Sequence, residues 1–130
     1  MNNNETRNSI NRFELEGNVA RVGDIYTNKK GKVSLRFELG QNNKDNSQFV
    51  PIVIKGELVN SYGKEIQVGD WISVKGRILS YPKRIEKDGR EYNNKTVDIL
   101  GFEIKDITNQ KIYKQNGNIE DIKNKYERER

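Results

Sequence analysis

The sequence contains no cysteine and no histidine. Their absence excludes disulfides and thiolate chemistry, and it removes the commonest zinc ligands and the imidazole general base together. No apolar run approaches the length needed to cross a bilayer, and the opening MNNNETRNSI has no apolar stretch. Neither a membrane span nor a signal peptide is therefore expected. The lack of cysteine fits a cytoplasmic location. Apolar residues are scarce, at 32% against 33% charged, so the core must be gathered into short strands, since too few exist to line several layers.

What the chain has is positive charge and alternation. A formal net charge of +5 favours a polyanionic partner. The first stretch, 1–10, is asparagine-rich and is expected to be a flexible arm. A folded domain is expected over 11–104, and 105–130 reads as a polar, charged tail in which Ile119, Ile122 and Tyr126 fit a weak helical face.

Within the domain, FELEGNVARV puts Phe13, Leu15 and Val19 on one face, interrupted by Gly17 as in a strand that bends. A connection follows, with a turn signal at Asn28 to Gly31. Next, Val33, Leu35, Phe37 and Leu39 alternate inward against Ser34, Arg36 and Glu38, and the polar loop Gln41 to Gln48 leads to a third strand. There Val50, Ile52 and Ile54 oppose Phe49, Pro51, Val53 and Lys55. Leu58, Tyr62 and Ile66 are spaced for one side of a short helix over 57–66. Gly69-Asp70 turns the chain into a fourth strand, with Ile72, Val74 and Ile78 against Trp71, Ser73, Lys75, Arg77 and Tyr81. Asp88-Gly89 marks a hairpin turn, and the last strand, 95–104, carries Val97, Ile99, Phe102 and Ile104 with a register shift at Leu100-Gly101. Three strands, a helix and two strands make an all-β chain with one short helix. That order is the five-stranded OB-fold, a partly open Greek-key barrel that binds oligonucleotides across one face.

The segments NRFELEGNVARVGDIY, KVSLRFELG and FVPIVIKGELVNSYGKEIQVGDWISVKGRI resemble the bacterial single-stranded DNA-binding proteins over roughly 11–104. The resemblance implies non-catalytic, largely sequence-independent coating of single strands in replication, repair, recombination or transfer, with no cofactor and no metal. It also implies a homo-oligomer, usually a tetramer, with a filament or a monomer left open, and RNA or duplex DNA as weaker partners. In the family, exposed aromatics stack on bases while lysines and arginines follow the phosphates. Phe49 stands where one such aromatic is expected, and Tyr81 and Lys83 stand at a strand end where an aromatic and basic residues normally occur. Three features depart from the pattern. Lys55 replaces a second aromatic, the loop 41–47 holds none, and the end KYERER lacks the acidic tip that recruits partners in housekeeping members. The first two bear on binding strength, and the third points to an accessory protein of a plasmid, phage or conjugative element.

The candidate platforms are Phe49 and Tyr81, on the face opposite the apolar set, and Tyr92 is interleaved with the hairpin's basic residues. Trp71 shares that parity and reads equally as a platform or as the cover of a subunit interface. Arg36, Lys55, Lys75 and Arg77 are the candidate phosphate contacts, extended along the hairpin by Lys83 and Arg84, with Lys29, Lys30 and Lys32 as a second basic cluster. An alternative function is an OB-fold protein-interaction module of a DNA-processing or conjugation complex. An enzyme is the weakest reading, because Asp24, Glu38, Asp98 and Glu103 are scattered with no ligand spacing.

Overall fold

The computed structural model describes residues 7–122, leaving the side chains of Ile85, Tyr92 and Asn93 outside that description. Strand β1 (Phe13–Val22) serves two neighbours. Its first half pairs antiparallel with the start of β5 (Trp71–Lys87), and its second half pairs with β3 (Val33–Asn42). The change of partner falls beside Gly17, which lies against the neighbouring backbone, and the register with β3 shifts between Val19 and Arg21. A Cβ at Gly17 would lie 2.0 Å from the Gly40 carbonyl oxygen, so only glycine fits.

A two-residue strand, β2 (Tyr26–Thr27), continues along β3 through a turn in which the Asn28 side chain accepts from the Lys30 and Lys32 amides. Strand β4 (Ser47–Lys55) folds back on β3 as a long hairpin, and the single helix found among the described residues, α1 (Glu57–Ser61), follows. Strand β6 (Arg90–Asp106) pairs with β5 along its length. The sheet closes through a parallel pair, Val53 on β4 opposite Leu100 on β6. Strands β3, β1, β5, β6 and β4 thus form a closed five-stranded barrel, an OB-like all-β fold.

Alternation supplies the core as the sequence implies. Leu35, Phe37 and Leu39 from β3, Ile52 and Ile54 from β4, Ile72 and Val74 from β5, and Ile104 from β6 all point inward and are buried. Each contributes about 1.5–3 kcal/mol relative to exposure. Leu58, Tyr62 and Ile66 are buried together at one end of the barrel. The helix ends at Ser61, short of the expected 57–66, because a tighter turn carries the chain on: the Glu65 and Ile66 amides both donate to the Tyr62 carbonyl.

Three expectations change. Val53 faces outward by parity yet is buried, for a reason that belongs to the site below. Ile78 and Val97 are exposed, because β5 and β6 run on past the barrel as a two-stranded ribbon to the pair Lys87 and Arg90. At the ribbon's base the Asn11 amide stands in for a missing strand, accepting from the Ile78 amide (3.0 Å) and donating to its carbonyl (2.6 Å). The ribbon closes on Asp88 and Gly89, whose φ values of 55° and 75° are those an Asp-Gly hairpin turn requires. Finally, the segment expected as a polar tail with a helical face continues the sheet. Strands β7 (Lys111–Lys114) and β8 (Ile119–Asp121) form a hairpin on β6, and Tyr113 enters the core 5.0 Å from the Tyr62 ring. Only one side of that hairpin is covered, so a single buried tyrosine carries its apolar signal, and Tyr126 lies outside the described residues.

Candidate nucleic-acid interface

Residues directly opposite on neighbouring strands point to the same side of a sheet. The pairing therefore lays the outer face of the barrel out in transverse rows. One row runs Phe49, Gly40, Asn18, Trp71 across β4, β3, β1 and β5. Another runs Arg36, Val53, Leu100, Arg77 across β3, β4, β6 and β5. A third runs Tyr26, Ser34, Lys55 across β2, β3 and β4. Two residues of strand span about 6.7 Å, so the Phe49 row and the Arg36 row lie about 13 Å apart.

The second and third rows bound a cleft of about 420 Å³ lined by Tyr26, Arg36, Val53, Lys55, Tyr81 and Asp98, among others. Tyr26 is 64% exposed and Tyr81 39%. Asp98, by contrast, is only 4% exposed although it sits on the outer face. It reconciles that burial with its charge by two contacts, accepting from Arg36 Nη2 at 3.2 Å and from the Tyr81 hydroxyl at 2.9 Å. The bond to Asp98, followed by partial desolvation, raises the Tyr81 hydroxyl above the usual phenol range. Val53 and Leu100 lie buried in the same row as Arg36, apart from the main core, which is why the outward parity of Val53 does not expose it.

The other end of the face is built differently. Phe49 is 60% exposed and Trp71 42%, with Gly40 and Asn18 between them. Trp71 is stapled to the barrel: its indole donates to the Glu16 carboxylate at 2.8 Å, its amide donates to the Thr108 hydroxyl, and its carbonyl accepts from the Ile107 and Thr108 amides. Among the described residues Glu16 forms no ion pair.

Phe49, Tyr81, Arg36, Lys55 and Arg77 thus fall on one continuous outer face, and Lys83 extends it along the ribbon by sharing the parity of Tyr81. Lys75 keeps the outward parity of Arg77 and pairs with Glu103 at 3.8 Å, whereas Arg84 lies on the opposite side of the ribbon from Lys83. The side chain of Tyr92 lies outside the described residues. Sequence reading missed Tyr26 and Asp98. A strand of two residues is too short to show a period, and Asp98 looks like any polar residue of an alternating strand until its partners from β3 and β5 are seen. Asp24 lines the cleft as well, yet among the described residues no three histidine, cysteine or acidic side chains converge to hold a metal. No described helix is long and apolar enough to cross a membrane.

Compared with known proteins, the chain matches no protein-family model and no curated protein.

Proposed function

We propose that this chain is a non-catalytic single-stranded DNA-binding protein of the kind its sequence resembles, engaging the strand across the outer face of its barrel. The observation that carries the reading is the set of exposed rings, Tyr26, Phe49 and Tyr81, spread over one outer face with the cations Lys55, Arg77 and Lys83. Every base has a π-face, so such rings accept any sequence, at about 1–3 kcal/mol per stacked base. The cations follow the phosphates, and each phosphate engaged contributes about −0.7 to the slope of log affinity against log salt. A cytoplasmic role in replication, repair, recombination or conjugative transfer goes with this reading, as does assembly into a homo-oligomer.

A second reading, an OB-fold protein-interaction module, draws on the Trp71 end, where an exposed indole sits beside Glu16, which has no ion-pair partner among the described residues. Fluorescence anisotropy with labelled oligo-dT and a matched duplex, at two salt concentrations, separates the two. Tight, salt-sensitive binding of the single strand with far weaker duplex binding supports the proposal. Equal binding of both overturns the stacking part, and binding of neither leaves the interaction module.

A further inference from the structure

Asp98 is costly where it stands, and the stacking role just proposed does not use it. A carboxylate 4% exposed on the outside of a barrel loses most of its hydration, and removing either partner would leave that charge short of compensation. Its two contacts, Arg36 Nη2 at 3.2 Å and the Tyr81 hydroxyl at 2.9 Å, reach it from β3 and β5, so it ties the two walls of the cleft together. The consequences for the two partners are opposite. Tyr81 loses the freedom to swing its ring, so the cost of ordering that ring is met before any ligand arrives. Arg36 has its charge neutralised in place, while Lys55 and Arg77 on the same face form no ion pair with a described residue.

We propose that Asp98 is a positioning residue that makes this cleft a subsite for a base, presenting the Tyr81 ring and withholding Arg36 from the phosphates, which run past Lys55 and Arg77. The inference rests on the single-strand reading above. It requires that Arg36 contributes little to the salt dependence of binding.

Four proteins test it: wild type, Asp98→Asn, Tyr81→Phe and the double variant, each titrated with labelled oligo-dT over a range of salt after its thermal midpoint is recorded. Tyr81→Phe keeps the ring and removes only its tether, and it should weaken binding about two- to tenfold with an unchanged salt slope. Asp98→Asn frees Arg36, so its salt slope should steepen by about 0.7, a change that a purely structural loss would not produce. The double variant should combine the weakened affinity of Tyr81→Phe with the steeper slope of Asp98→Asn, because a carboxamide at position 98 still hydrogen-bonds the Tyr81 hydroxyl and only loss of that hydroxyl severs the tether. Arg36→Gln adds a check and should leave the slope as in wild type. A slope unchanged in Asp98→Asn, or a Tyr81→Phe protein that binds like wild type, overturns the inference while the single-strand reading stands. Wild type that binds no single strand overturns both. Should Asp98→Asn not fold, Tyr81→Phe and Arg36→Gln decide alone.

Discussion

Tyr81 and Trp71 stand at opposite ends of the same face, and each is tethered to a carboxylate through its polar atom. The carboxylate under Tyr81 is buried and neutralised by Arg36, whereas Glu16 beside Trp71 is exposed and forms no ion pair with a described residue. A polyanion approaching the first ring meets a balanced pair and Lys55, which has no ion-pair partner among the described residues, but at the second it meets the Glu16 carboxylate, likewise unpaired among them. On the proposed reading, two rings of similar exposure differ in the charge of their immediate support, which exposure alone does not show. Trp71 is also anchored through its backbone to the Ile107–Thr108 segment, which gives it a structural task that Tyr81 lacks.

The two ends lie on one strand, β5, which β1 pairs to the rest of the barrel through the segment around Gly17, so the largest effect expected is from Gly17→Ala. With a Cβ 2.0 Å from the Gly40 carbonyl oxygen, strand β1 must move, at a cost of about 1–3 kcal/mol or more, read as a lowered midpoint in thermal unfolding. The comparison itself breaks if Trp71 proves to matter as much as Tyr81. Tyr81→Ala should cost about 1–3 kcal/mol of single-strand affinity, and Trp71→Ala about 0.5 kcal/mol or less, both by anisotropy. Removing the offending charge sharpens the contrast: Glu16→Gln should strengthen binding by about 0.2–1 kcal/mol, and the gain should vanish in high salt. Among cations, Lys55→Gln should flatten the salt slope by about 0.7, whereas Lys75→Gln should leave it, Lys75 being held by Glu103.

The smallest effect concerns the junction behind Trp71. Burial, and then the nearby Asp106 carboxylate, hold the Asp70 carboxyl above its usual range. An acid whose folded pKa lies above its unfolded value favours its protonated form in the native state. Its share of stability is therefore full below the unfolded pKa, near 3.8, and declines as pH rises through the folded one. Asp70→Asn should remove that decline, so its thermal midpoint should gain on wild type between pH 4 and 7 and match it at pH 3 (about the acid limit of an ordinary aspartate).

The barrel was legible because its strands are half-buried, and a half-buried strand writes its face into the chain at every second residue. Leu35, Phe37, Leu39, Ile52, Ile54, Ile72 and Val74 all took the side that alternation assigned them. The rule failed wherever a strand stopped being half-buried. Ile78 and Val97 keep the inward parity of β5 and β6 after the ribbon has left the barrel, and nothing in the local sequence marks that departure. Strands β7 and β8 read as a tail because Tyr113 alone carries their packing.

The sequence by itself determined an all-β barrel with one short helix, the Asp-Gly hairpin, and an outer face bearing Phe49, Tyr81 and basic residues. Local patterns suffice for these, since alternation, turn chemistry and glycine tolerance act over a few residues. Only the tertiary structure decided which rings share a cleft, which cations are already neutralised, and that Asp98 joins Arg36 to Tyr81. Those outcomes depend on strands 62 residues apart in the chain, Arg36 to Asp98, and a charge leaves no trace in sequence of the partner that barrel closure will bring to it.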